Sequence, residues 1–310
     1  MKKRTVPVIA GPTASGKTEI AIRLAEKIGG EIVSADSMQI YKYMNIGSAK
    51  PTPKETARAR HWLVDEIDPA RPFSVAEYSI MARDAIEDIF SRGLVPIVAG
   101  GTGLYINSII YDMDFSSASA DNELREYYRT LAGEHGGQYI HDILAKKDPE
   151  AAARIHPNNI KKIIRAIEAA DSGNNIPDFE KSFRKTSSYD TVIFCLERER
   201  EELYDRINRR VDIMIDMGLE EEIRSLLDMG LRSDDISMKG IGYKEIIGAF
   251  DGLYDMNEAV RLTKRNSRRY AKRQMTWFRR YGDEMHTIML SGKDVDSALK
   301  EITDILDEML

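Results

Sequence analysis

The chain has 310 residues, 42% of them hydrophobic and 31% charged, as expected of a globular protein with one large domain or a core carrying one sizeable insertion. No stretch approaches the roughly 18 apolar residues a membrane span needs, and the apolar run at residues 6–10 is short for the core of a secretory signal, so a cytoplasmic setting and no membrane partner are expected. The single cysteine, Cys195, excludes an internal disulfide and a cysteine-built zinc site, and its apolar surroundings make it a small buried hydrophobe.

The net charge of −6 argues against a nucleic-acid binder only on average. Between Ala259 and Gly282 the chain carries nine lysines and arginines and no acid. Local charge is what a polyanion meets.

In chain order, residues 6–10 form an apolar run that ends at a glycine loop, and Ile20, Leu24 and Ile28 give residues 19–28 helical spacing. A second strand is expected at 31–35, and a polar helix at 52–60 introduced by Pro51 and Pro53. A longer helix is expected at 74–91 with Ser74 as its N-cap, then a buried strand at 94–99 running into Gly100 and Gly101. Strand, helix, strand, helix, strand predicts a doubly wound α/β sheet, with the loops at 11–18, 36–39 and 100–105 meeting at its carboxyl edge. From about 115 to 189 the pattern turns helical, with helices expected at 123–134, 138–146, 149–155 and 158–170 and a loop at 171–178. A strand returns at 191–196, and helices follow at 200–217, 220–229, 242–250, 256–281 and 297–309. The expected division is therefore a core of residues 1–114 and 190–310 with a helical insertion at 115–189.

The loop Gly11-Pro12-Thr13-Ala14-Ser15-Gly16-Lys17-Thr18 satisfies the P-loop pattern, with a strand before it and a helix after it. Its backbone N–H groups and the helix dipole suit an anion, Lys17 adds a point charge, and the Thr18 hydroxyl can hold Mg²⁺. The loop specifies a diphosphate and leaves the rest of the ligand open. A nucleoside triphosphatase also needs an acid at a neighbouring strand end. Here residues 94–99 run into Gly100-Gly101-Thr102, and Asp36 instead ends the second strand.

Further segments stand out along nearly the whole chain: beside GPTASGKT at 11–18, there are SADSMQIYKYMNIGSAKP at 34–51, VAGGTGLYINSI at 98–109 and SADNELR at 119–125. ARIHPNNIKKIIRAIE at 153–168, YDRINRRVDIMIDMGLEEEI at 204–223, KGIGYKE at 239–245 and RRYAKRQMTWFRR at 268–280 continue the series. Together they resemble the tRNA dimethylallyltransferase (isopentenyltransferase) family, in its shorter bacterial form. SGNNIPDFEKSF, after the helix ending in RAIE, departs from the family's usual turn.

The resemblance implies a P-loop NTPase-like parallel sheet with flanking helices and a helical insertion. It implies transfer of a dimethylallyl group from its diphosphate to N6 of the adenosine 3′ of the anticodon, in tRNAs reading codons that begin with U. The phosphate loop then holds the prenyl diphosphate, with Mg²⁺ as cofactor at Thr18. Asp36 matches the family's base, Thr102 a residue at the reaction centre and Arg210 an arginine on the diphosphate, with Arg206 and Arg209 as alternatives to Arg210. Ser37, Met38 and Gln39, beside Asp36 and Thr102, match the segment that contacts the extruded adenosine. Arg125, Lys161, Lys162, Arg165, Lys239 and Lys244 match segments that touch tRNA. Arg261, Arg265, Arg268 and Lys272, spaced by four, three and four, share one helical face suited to tracking phosphates.

Tyr270, Trp277, Phe278 and Tyr281 read mainly as core, and His156 as part of a helix start. A monomer is expected. A P-loop small-molecule kinase leaves the basic helix and the missing strand-end acid unexplained. An isopentenyltransferase acting on free adenine nucleotides leaves the basic helix and the insertion without a purpose, and a non-enzymatic RNA-binding module leaves the phosphate loop without one.

Overall fold

The computed structural model describes residues 4–113, 122–173 and 184–309. Two compact units emerge, one of residues 1–110 and 186–310, the other of 111–185. The insertion thus begins and ends about four residues earlier than the composition change suggests.

In the first unit the strands are β1 (Thr5–Ala10), β2 (Gly30–Ala35), β3 (His61–Trp62), β4 (Val95–Gly100), β5 (Asp190–Glu197) and β6 (Met285–Met289). They form one sheet in the order β3-β2-β4-β1-β5-β6, every neighbouring pair parallel. β1 and β2 are buried along all but their first residue, which explains their unbroken apolar runs, because a parallel sheet is covered on both faces. One cover is a layer in which Ile20 and Leu24 of the Lys17–Ile28 helix meet Ile9, Ile97 and Phe194 of the sheet and Ile302 and Leu306 of the final helix, Val295–Met309.

Local signals account for several boundaries. Ser74 caps the Val75–Ser91 helix, and Thr52 caps Pro53–Arg58, each in a reciprocal capping box with the glutamate three residues on. β3 is two residues long, too short for any alternation to register. The loop expected at 100–105 gives way at Gly103 to the helix Gly103–Ile110, whose glycine-rich entry masks it in the sequence. The long basic helix is Met256–Phe278, with Asp255 as its N-cap, and it ends before Tyr281 in a 3-10 turn, Arg279–Glu284. β6, which follows, is an edge strand that no pattern announced.

The second unit packs the helices Asn122–His135, Gly137–Lys147, Pro149–Arg154 and Ile160–Asp171 around Ile140, Leu144, Ile163, Ile164 and Ile167. His156 is exposed, and its Nδ1 accepts the Asn158 N–H in the turn before the last of these helices, whose N-cap is Asn159. The start of SADNELR and most of SGNNIPDFEKSF lie outside the described residues.

Candidate active site

β2, β4 and β1 lie side by side in the sheet, so the loops leaving their carboxyl ends are neighbours. The loop after β1 carries residues 11–18, that after β2 carries Asp36, and that after β4 carries Gly101 and Thr102. Strand order brings together three segments spread over about 90 residues of the chain.

The phosphate loop turns through Gly16, whose φ of 110° is in the left-handed region that glycine adopts without strain. Side chains from afar hold the loop, mostly by its backbone. Arg198 Nε donates to Ser15 O at 2.8 Å, Arg206 Nε to Ala14 O at 2.9 Å, and Arg210 Nη1 to Thr13 Oγ1 at 3.4 Å. Gln274, from the basic helix, accepts the Thr13 N–H at 2.9 Å and donates to Gly101 O at 2.8 Å, tying the first loop to the third. Lys17 Nζ donates to Pro12 O at 2.8 Å. Burial, and secondarily the charge of Arg210, lower Lys17 to about 8, while Asp36 pulls it upward. Burial also lowers Arg210 from its ordinary value, against the pull of Asp36. The loop therefore concentrates positive charge where an anion would relieve it.

Asp36 Oδ1 accepts from the N–H of Met38 at 2.9 Å and of Gln39 at 3.4 Å, which fixes the carboxylate plane. Oδ2 has no protein donor among the described residues. Thr102 Oγ1 accepts the Ser37 N–H at 3.0 Å and lies 3.3 Å from Ser37 Oγ, so it braces the segment that bears Asp36. The Gln39 side chain bridges Ser34 Oγ and Ala49 O.

Two cavities meet here. A cavity of about 510 Å³ is lined by Thr13, Gly16, Lys17, Thr18, Arg206 and Arg210 and runs down the sheet face past Ser34 to Ile32 and Ala99. A second, of about 340 Å³, is lined by Ser37, Met38, Ser48, Lys239, Lys244 and Arg273. Thr13, Asp36, Ser48, Arg210 and Tyr270 line both. Asp36 thus stands at the junction of an anion cradle and a chamber with a cationic rim.

Of the arginine triplet, Arg210 is half-buried and faces both cavities. Arg206 faces the first and grips the loop, and Arg209 lines the first as an exposed side chain beside Asp205. Of the four aromatics read mostly as core, Tyr270 lines both cavities, and burial pushes its phenol up to about 12. Phe278 and Tyr281 are buried as expected.

The expected stripe on the basic helix divides. Arg261 and Lys272 are exposed, with Arg261 paired to Glu258. Arg265 and Arg268 are half-buried, and Arg268 bonds Asn208 at 2.5 Å and lies 6.0 Å over the Tyr204 ring. Lys264 pairs with Asp212. The acids that meet these cations come from the first turn of the helix, just before the counted stretch, and from the helix Arg200–Asp216, where a local charge count does not look. Lys239 and Lys244 are exposed. In the insertion Lys161, Lys162 and Arg165 are exposed, whereas Arg125 is paired at 2.8 Å to the buried Glu168. Gln274, Arg198 and Glu222 carried no sequence signal. Their roles are contacts to backbone atoms of distant loops, which no motif records. Cys195 is buried in β5, with its thiol pushed up to about 12 by burial.

Fold and site define an α/β protein that pairs a cavity on the glycine-rich loop after β1 with a second chamber across one carboxylate. The family model described as IPP transferase matches residues 39–281, and the chain belongs to that family. It is 51% identical over 302 residues to a tRNA dimethylallyltransferase of Alkaliphilus oremlandii (strain OhILAs), covering 97% of this chain and 96% of the relative. The crystal structure of a full-length tRNA isopentenylpyrophosphate transferase from Bacillus halodurans is similar, with a TM-score of 0.74 and 41% identity, covering 99% of this chain and 97% of that one. A eukaryotic dimethylallyltransferase acting on tRNA matches with a TM-score of 0.80 and 26% identity, over 92% of this chain and 74% of the other.

Proposed function

We propose that this chain is a tRNA dimethylallyltransferase. It moves the dimethylallyl group from dimethylallyl diphosphate to N6 of the adenosine 3′ of the anticodon, in tRNAs whose codons begin with U, and releases diphosphate. The observation that carries the reading is the position of Asp36, between a cavity floored by the phosphate loop and a chamber rimmed by Lys239, Lys244 and Arg273.

The prenyl C1–O bond breaks as the C1–N6 bond forms. Negative charge then grows on the leaving diphosphate, beside the Lys17 and Arg210 side chains that line the first cavity, so little reorganisation is needed. The adenine amino group is a weak nucleophile, and the free edge of Asp36 takes its proton. Such a base contributes roughly 10²–10⁴-fold. To reach Asp36 the base must leave its stack and enter the second chamber, where Ser37 and Met38 form part of the wall.

Mg²⁺ fits this donor set. The Thr18 hydroxyl lines the first cavity, and among the described residues no group of three acids, histidines or cysteines gathers to hold a metal. Thr18 would hold the ion, whose charge would offset the negative charge on the leaving group.

The exposed cations of the Met256–Phe278 helix, with Lys161, Lys162 and Arg165 of the insertion, hold the tRNA backbone. The enzyme works as a cytoplasmic monomer. No helix among the described residues is long and apolar enough to cross a membrane.

The test is incubation with an unmodified anticodon stem-loop, dimethylallyl diphosphate and Mg²⁺, followed by digestion and mass spectrometry of the nucleosides. Dimethylallyl-adenosine is expected from the stem-loop, with little from free adenosine monophosphate. Absence of that product, with ATP consumed in parallel, would overturn the reading in favour of a kinase.

A further inference from the structure

Outside both cavities, one carboxylate gathers four hydrogen bonds from two distant parts of the chain. Glu222, on the helix Leu219–Asp228, accepts the N–H of Asn45 and of Ile46 at 2.7 Å on Oε2. On Oε1 it accepts the Gly47 N–H at 3.1 Å and the Tyr243 hydroxyl at 2.8 Å. Three successive backbone N–H groups aimed at one carboxylate form an anion cradle, here filled by the protein's own side chain.

Both parts joined border the second chamber, which is lined by Gly47, Ser48 and Ala49 from the first and by Lys239, Gly240, Ile241 and Lys244 from around the second. Tyr243, buried at the start of the helix Tyr243–Phe250, lies flat on Gly47, where an added Cβ would come within 2.5 Å of its ring. Met38 packs on Gly240 in the same way, leaving 2.6 Å. The clamp reaches the reaction centre through Gln39, whose amide donates to Ala49 O at 3.0 Å and whose backbone N–H is held by Asp36. Glu222 does not line the chamber, so it acts only through what it holds.

We infer that Glu222 is a positioning residue that sets the spacing of the acceptor chamber by clamping residues 45–47 to Tyr243. The inference rests on the assignment of that chamber to the acceptor base. Glu222 has no contact with the phosphate loop, so its loss affects the acceptor and spares the diphosphate.

The experiment uses the full chain with Glu222→Ala, Glu222→Gln, Tyr243→Phe and the double variant Glu222→Ala/Tyr243→Phe. It measures inorganic pyrophosphate affinity, stem-loop affinity, and kcat/KM for the stem-loop. Glu222→Ala is expected to lose at least tenfold in stem-loop affinity and kcat/KM, with pyrophosphate Kd within twofold of wild type. Glu222→Gln keeps one carbonyl oxygen as acceptor and is expected to lose at least threefold; it carries the test if the alanine variant does not fold. The double variant is expected to match Glu222→Ala, since the phenol has already lost its partner. Wild-type stem-loop values in Glu222→Ala and Glu222→Gln would overturn the clamp, as would a loss of pyrophosphate affinity in step with the acceptor. A wild-type chain that binds the stem-loop but yields no prenylated product would sink the prenyl-transfer reading instead, and stem-loop affinity alone would then judge the clamp by the same tenfold criterion.

Discussion

At the scale of single residues, the site separates two tasks between Asp36 and Lys17. Asp36 keeps one oxygen busy with the Met38 and Gln39 N–H groups and leaves the other to the cavities. Asp36→Asn preserves those two bonds and removes the base. Turnover should fall roughly 10²–10⁴-fold in single-turnover assays, with pyrophosphate and stem-loop affinities within threefold of wild type; unchanged turnover would remove Asp36 from the chemistry. Lys17 is protonated at neutral pH but only by a narrow margin, because burial and Arg210 bring it down to about 8. A bound diphosphate favours the charged form and lifts it back. Above pH 8 binding must therefore take up a proton, and affinity falls with rising pH, by up to about tenfold per unit; below pH 8 this group contributes no slope. Lys17→Arg keeps its charge throughout and should flatten that alkaline limb. Titration calorimetry with pyrophosphate from pH 7 to 10 checks the pair, and identical slopes would mean that Lys17 does not titrate on binding.

At the scale of elements, the Met256–Phe278 helix serves two surfaces at once. Its inner face reaches the phosphate loop through Gln274 and the cavities through Tyr270. Its outer cations differ in their engagement, and that difference is measurable. Lys272 is exposed, so Lys272→Ala should reduce the slope of log affinity for the stem-loop against log salt by about 0.7–0.9 and leave thermal stability unchanged. Arg268 holds Asn208 and covers Tyr204, so Arg268→Ala should lower the melting temperature as well, by loosening the packing of the Arg200–Asp216 helix. Salt-dependent binding titrations with thermal melts separate the two, and equal melting temperatures would refute the division.

At the scale of the whole molecule, the insertion has its own apolar centre, and the core unit has another. The chain leaves and re-enters the core at adjacent points, since the Thr186 N–H donates to Ile110 O at 2.9 Å. Replacing residues 112–184 with a short Gly-Ser linker should therefore leave a core that unfolds cooperatively and binds pyrophosphate within threefold of the full chain. Stem-loop affinity should fall at least tenfold with the loss of Lys161, Lys162 and Arg165. A variant that neither folds nor binds pyrophosphate would show that the core depends on the insertion.

Most of what the sequence determined is local. A phosphate loop needs its glycines, lysine and threonine in one short run between strand and helix, so Gly11 to Thr18 was legible at once. Capping residues sit beside the helices they start, and apolar runs mark buried parallel strands, so Ser74 and the course of β1, β2 and β4 were legible too. Tertiary structure alone decided which side chains hold those pieces against one another. Gln274, Arg198 and Glu222 act by hydrogen bonds to backbone atoms between about 175 and 260 residues away. A backbone carbonyl or N–H is the same at every position and leaves no mark on the residue type. Tyr270 could not be told from the core aromatics around it for a related reason: an aromatic on the inner face of a helix looks alike whether it fills a core or lines a cavity, and only the neighbouring chain decides between them.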